Sequence, residues 1–127
     1  MKRTIFIVLC CLAVVFSVGC SRSYSKDLLG SYEELERIMS VYSAQPDKLM
    51  PALDDYIARN REVWCRVVEA EGRVDSDTID RDYTMNEKQI VEILKKILNL
   101  DLVIQDNLRD DPEALRAYMQ RVANIGC

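Results

Sequence analysis

The sequence predicts an all-α domain, a small antiparallel four-helix bundle that follows a cleaved signal peptide. After residue 26, apolar residues recur at helical spacing in four separate segments. Proline, glycine or acidic residues mark the breaks between these segments. Runs that alternate apolar and polar residues, as strands do, are few, so we expect no sheet. Short connections make successive helices antiparallel, and 127 residues suffice for one domain.

The first nineteen residues form a predicted signal peptide. Lys2 and Arg3 open the chain, and the fourteen residues 5–18 carry no charge. A membrane-spanning helix needs about 20 apolar residues, so this run is short for a permanent span. A basic start, a short apolar stretch and small residues at its end are typical of a secretory signal. An uncleaved anchor helix is the alternative.

The segment Ser17-Val18-Gly19-Cys20 resembles the lipobox of bacterial lipoprotein precursors, although Ser17 stands where Leu is usual. The resemblance covers residues 1–20. It implies that the Cys20 sulfur receives a diacylglyceryl group, that cleavage falls between Gly19 and Cys20, and that the freed amine is then often acylated, with chains such as palmitate. Because Ser21 rather than Asp follows the cysteine, it favours the outer membrane over the inner. The same residues suit ordinary signal peptidase, which leaves plain secretion as an alternative.

Cysteine usage bears on this choice. Cys10 and Cys11 leave with the signal peptide, so the mature chain holds Cys20, Cys65 and Cys127. Three thiols in an oxidising compartment leave one unpaired, and lipidation of Cys20 removes it. We therefore predict a disulfide between Cys65 and Cys127, which could stabilise the fold by roughly 4 kcal/mol. The alternative is that both remain free.

Residues 20–26 are predicted to be the lipidated N-terminus and a short tether, and residues 27–127 the bundle. The first helix is expected from Asp27 to Ser43, because the residue before Pro46 is pushed out of the helical region. Its apolar face is formed by Leu28, Tyr32, Leu35, Met39 and Tyr42.

The second helix is expected from Asp47 to Glu71, with Gly72 as its stop signal. Pro51 lies near its start, where proline is better tolerated than in the middle of a helix. Its apolar stripe contains Leu49, Leu53, Tyr56, Ile57, Val63, Trp64, Val67 and Val68.

The third helix is expected from Thr84 to Arg109, after an acidic loop at residues 75–82. Thr84 and Glu87 have the spacing of a capping box. A wide apolar arc predicts that this is the most buried helix. The arc comprises Ile90, Val91, Ile93, Leu94, Ile97, Leu98, Leu100, Leu102, Val103, Ile104 and Leu108.

The fourth helix is expected to begin at Asp111-Pro112, with Asp as the cap and Pro in the first helical position. Its inner face contains Leu115, Tyr118, Met119, Val122 and Ile125.

Three polar residues fall on predicted apolar faces: Asn60 on the second helix, and Asp101 and Gln105 on the third. Polar groups facing a core need partners, because leaving one buried and unpaired costs about 1–3 kcal/mol. The cluster could form the polar floor of a ligand cavity. Alternatively, it is a closed hydrogen-bond network that fixes helix register.

Composition argues against several classes of function. The sequence contains no histidine and only four glycines, which excludes histidine-dependent triads, histidine-ligated zinc and glycine-rich phosphate loops. The acidic segment starting at Asp75 fails the EF-hand pattern at the positions of Ile79, Asp80 and Asn86. We therefore expect no metal, no cofactor and no enzyme activity.

The charge balance also limits the choice of partner. Without Lys2 and Arg3, the chain has 15 basic and 21 acidic residues, a net charge of −6. This disfavours binding to nucleic acid, where neutralisation of phosphates supplies much of the affinity. The sequence thus favours a membrane-anchored, non-catalytic envelope lipoprotein, bound to the bilayer through acylated Cys20 and facing a membrane-proximal protein partner. The alternative is a periplasmic module that binds a small molecule or peptide in a cavity of the bundle.

Overall fold

The computed structural model describes residues 23–73 and 76–127, and within these ranges the protein is an all-α four-helix bundle without β-strands. The helices are α1 (Tyr24–Tyr42), α2 (Pro46–Arg73), α3 (Ser76–Asn107) and α4 (Pro112–Ala123).

Successive helices run in opposite directions, as predicted. Ser31 of α1 hydrogen-bonds Tyr56 of α2, and Tyr118 of α4 hydrogen-bonds Asp101 of α3. The helices are not equally close to one another: α1 packs against both α2 and α3, and α2 packs against α4. The two helices α1 and α3 are parallel, because contacts join the start of α1 to Asp82 and its end to Asn107.

The observed starts and ends of α1, α2 and α4 agree with the sequence signals to within a few residues. Asp111 caps α4 by accepting a hydrogen bond from the amide of Ala114, and Pro112 occupies the first turn. Ser23 caps α1, so residues 24–26 belong to the helix and not to the tether in which we had placed them.

The predicted start of α3 is wrong. Thr84 is not an N-cap, because α3 begins at Ser76 and residues 76–82 of the predicted acidic loop form its first turns. The Thr84 hydroxyl donates to the carbonyl oxygen of Asp80 one turn earlier, as hydroxyls within helices do. The extension has a tertiary cause: Asp82 contacts the first residues of α1, and Tyr83 lines a hollow together with Glu71 near the end of α2.

The core lies where the second half of α1, the first half of α2, the end of α3 and α4 meet. Its largest fully buried side chains are Leu49, Leu53, Tyr56, Ile104 and Tyr118. The length of α4 explains the location, because twelve residues extend only about 18 Å whereas the 32 residues of α3 extend about 48 Å.

The expectation that α3 is the most buried helix is also wrong. Of the eleven apolar residues in its predicted arc, only Ile90, Ile104 and Leu108 are buried. Four are exposed: Val91, Leu98, Leu102 and Val103. A wide apolar arc needs neighbours on several sides, and α3 packs extensively only against α1.

Candidate functional site

A latch of four polar residues holds the N-terminus of α1 against α3. The Asp82 carboxylate accepts hydrogen bonds from the Ser23 hydroxyl and, at 2.8 Å, from the Ser25 amide. The Ser25 hydroxyl, fully buried, donates to the carbonyl oxygen of Asp82 at 2.9 Å, and the Asn86 amide donates to the Ser25 hydroxyl at 2.7 Å. Burial acts to raise the pKa of Asp82, but the hydrogen bonds from Ser23 and Ser25 outweigh it and lower the pKa.

The latch fixes the point at which the chain enters the bundle. The predicted lipidation residue Cys20 and the predicted cleavage site between Gly19 and Cys20 lie outside the described residues. Three residue steps separate Cys20 from Ser23, and they reach at most about 10 Å. A lipid at Cys20 would therefore place the N-terminal ends of α1 and α3 at the membrane surface.

Asn60 belongs to a polar network between α1 and α2. Its amide donates to Glu34 and to the carbonyl oxygen of Tyr56, both at 3.0 Å. Glu34 also forms an ion pair with Arg59. The Tyr56 hydroxyl shares a 2.8 Å hydrogen bond with Ser31, and burial raises the pKa of Tyr56.

Asp101 and Gln105 form a second network, which joins α3 to α4. The Asp101 carboxylate accepts hydrogen bonds from the Tyr118 hydroxyl at 2.6 Å and from Gln105 at 2.8 Å. Tyr118 is fully buried, and burial, followed by its interaction with Asp101, raises its pKa far above the ordinary value. The structure thus brings together Asp101 and Gln105, whereas Asn60 shares no hydrogen-bond partner with them.

The predicted disulfide is present in the structure. The Cys65 and Cys127 sulfurs are bonded, and the two Cα atoms are 4.9 Å apart. Gly126 has a φ of 130°, a conformation that favours glycine, and it turns the tail after α4 towards α2. Together with the ion pair between Arg121 and Asp54, the disulfide fastens the C-terminal part of α4 and the tail after it to α2.

The surface hollows of the bundle lie away from both polar networks. Three open hollows surround the first half of α3, and neither Asn60 nor Asp101 lines them. The largest, about 640 Å³, is lined by Asp77, Asp80, Arg81, Thr84 and Met85.

The other two hollows adjoin each other and form what we call the open groove. One, of about 500 Å³, lies along α3; the other, of about 350 Å³, also includes Glu71 of α2. The groove is lined by Glu71, Ile79, Asp80, Tyr83, Thr84, Glu87, Ile90 and Val91. Burial, with a smaller contribution from the charge of Glu71, raises the pKa of Tyr83.

Exposed apolar side chains continue from this groove along α3. Val91, Leu98 and Leu102 are 42%, 63% and 66% exposed. Their spacing of seven and four residues places them on one face of the helix, which we call the apolar strip. Their helical spacing predicts a place in the core, which is wrong because none of the described helices covers them. The sequence alone does not show which helices lie beside them.

Within residues 23–73 and 76–127, no three Cys, Asp or Glu residues are placed so that they could hold a metal ion. In the same ranges, no helix is both long and apolar enough to cross a bilayer.

Compared with known proteins, the chain matches no family model, and no curated protein or solved structure is significantly similar to it. Its function must therefore be argued from its own residues.

Proposed function

We propose that the protein is a membrane-anchored lipoprotein of the cell envelope that binds a protein partner and has no catalytic role. The observation that carries the anchoring is the placement of Cys20 directly after Gly19 at the end of the uncharged run 5–18. The pairing of Cys65 with Cys127 supports it, because Cys20 is then the one cysteine of the mature chain left without a sulfur partner.

A role in protein interaction is supported by the apolar strip and the open groove. Exposed apolar patches on small domains often mark sites where another macromolecule binds. The lack of histidine and the pairing of the Asp101 carboxylate with Tyr118 and Gln105 support a non-catalytic role.

The alternative, a module with a ligand cavity between Asn60 and Asp101, receives less support. Both side chains are already hydrogen-bonded to neighbours, so they fit the register-fixing network better than the floor of a cavity.

Substitution of Cys20 by serine tests the anchoring. Wild-type protein should fractionate with membranes, and its intact mass should equal residues 20–127 plus the added acyl groups. The Cys20→Ser variant should keep its precursor mass and carry no acyl groups. Cys11→Ser, in the segment that cleavage removes, is the matched control and should behave like wild type.

If Cys20→Ser leaves the mass, processing and membrane partitioning unchanged, the lipoprotein proposal is refuted. Separation of inner from outer membranes on a density gradient then tests the sorting implied by Ser21, for which we expect the outer-membrane fraction.

A further inference from the structure

The open groove is the unfilled continuation of the path that α4 follows. α4 reaches α3 through the contact of Tyr118 with Asp101, and its tail ends at Cys65 of α2. α4 itself continues past this contact to Ala123, and its tail reaches Cys127. The groove follows residues 79–91 of α3, a length of about 18 Å, and Val91 is exposed beside it. This stretch has the length of a helix of about 12 residues.

The floor of this space is apolar. Ile90 is buried, Ile79 is half-buried, and Val91 is 42% exposed at the wall. Leu98, 63% exposed, prolongs the floor two turns further along α3. An occupant must therefore present an apolar face, and a helix does so through residues spaced three and four apart.

The rim of the groove selects the charge of the occupant. The carboxylates of Glu71, Asp80 and Glu87 line it, and none of the described residues that line its two hollows is basic. These carboxylates favour a basic occupant, and so does the net charge of −6 for residues 20–127. Complementary charge across an interface steers association and excludes wrong partners. An anionic membrane surface fits poorly, because the rim would repel it.

A second copy of the chain is also a poor occupant. Pairing of the grooves of two copies would bring together rims that carry Glu71, Asp80 and Glu87 on both copies. Like charges placed opposite one another destabilise such a contact.

We propose that the open groove binds an amphipathic helix of a protein partner, with Lys or Arg residues flanking its apolar face. The proposal rests on the function proposed above and names the chemistry of the partner. Asp80 lies two residues from Asp82, which holds Ser23, so the groove begins at the anchored end of the bundle. The partner helix accordingly lies close to the membrane.

A synthetic probe tests the proposal on the full-length protein in a non-ionic detergent. The probe is an amphipathic leucine–lysine peptide of about 20 residues with a photoreactive leucine at its centre. Its comparator has glutamate in place of every lysine. Binding is measured by fluorescence anisotropy, and crosslinked residues are located by mass spectrometry. We expect the lysine peptide to bind at least tenfold more tightly than the glutamate peptide and to crosslink within residues 79–98.

Reversing the charges that line the groove tests whether the peptide binds there. The triple variant Glu71→Lys, Asp80→Lys and Glu87→Lys should bind the lysine peptide at least tenfold more weakly. The matched control reverses Glu33, Glu62 and Glu113, which are exposed on three helices outside the groove. It changes the net charge equally, and we expect its affinity to stay within about twofold of wild type, since added salt screens such distant charges.

Several results would overturn the proposal. These are equal weakening in both triple variants, equal binding of the two peptides, and crosslinks spread over other faces of the bundle.

In cells, a photoreactive amino acid in place of Val91 should crosslink to another polypeptide, and Glu87→Lys should abolish that crosslink. Crosslinks only to lipid or to a second copy contradict the proposal. Failure of these assays leaves the Cys20 result intact, so the two proposals can fail separately.

Discussion

Removal of the disulfide gives the most direct test of what stabilises this bundle. The Cys65–Cys127 bond closes a loop with a sequence separation of 62 residues. In the chain-entropy relation, a loop of that length stabilises the folded state by about 4 kcal/mol. With an unfolding entropy of roughly 2.1 cal/mol/K per residue, a chain of this size should lose about 18 °C of Tm. The double variant Cys65→Ser and Cys127→Ser should therefore unfold far below the wild type.

Most of this loss arises in the unfolded state. In the folded state, α4 keeps its contacts through the Asp101–Tyr118 hydrogen bond and the ion pair between Arg121 and Asp54. The native structure of the double variant should thus change little, while its unfolded chain expands. The urea dependence of the unfolding free energy should become steeper, because more surface is exposed on unfolding.

Urea titrations followed by circular dichroism and by the fluorescence of Trp64, the single tryptophan, provide the assay. Trp64 contacts Tyr32 edge to face with ring centroids 5.2 Å apart, so its emission reports the packing of α1 on α2. Wild-type protein under reducing conditions is the control and should match the double variant. An unfolding free energy within about 1 kcal/mol of wild type contradicts the reasoning. Titratable thiols at both cysteines in unreduced, denatured wild type contradict it as well.

Three further changes test other parts of the structure. Tyr118→Phe removes a charge-assisted hydrogen bond to Asp101 and should cost about 1.5–3 kcal/mol in urea unfolding at pH 7. Because folding raises the pKa of Tyr118, its contribution is complete below the unfolded pKa of about 10 and is lost as pH rises above it. The wild type should therefore lose more stability between pH 9 and pH 11 than Tyr118→Phe, and parallel losses would exclude this role. Asp82 has a lowered pKa, so its contribution is present above an unfolded value of about 3.9 and is lost as pH falls further. Asp82→Asn should weaken the fall in wild-type stability between pH 5 and pH 2, and an unchanged slope argues against the latch. Leu98→Gln and Leu102→Gln, on the exposed strip, should each change stability by less than about 0.5 kcal/mol, whereas a loss typical of a core residue contradicts the exposure described.

The helices and their connections were largely predictable because their signals are local. Pro46 and the Asp111–Pro112 pair act through the backbone conformations of their own segments, whereas Gly72 does not stop α2, which continues to Arg73. The disulfide was predictable for a different reason: if the signal peptide is removed and Cys20 is lipidated, as the sequence predicts, one pair of cysteines is left to form it. Each of these inferences needs only the residues themselves and the predicted compartment.

The third helix shows where local signals mislead. Thr84 and Glu87 have the spacing of a capping box, yet the helix begins eight residues earlier. The earlier turns are stabilised by contacts of Asp82 with Ser23 and Ser25, which are more than fifty residues away in sequence. Periodicity could not reveal such a contact, because it describes one helix at a time.

The sequence by itself determined the helical class, the helix ends at prolines and the cysteine pairing, because each depends on neighbouring residues or on counting. Only the tertiary structure decided which apolar residues are buried. Val91 and Ile104 belong to the same arc in the sequence, but one faces the open groove and the other is fully buried beside the short fourth helix. Burial depends on the neighbours that a side chain meets, and the positions of those neighbours are a property of the whole fold.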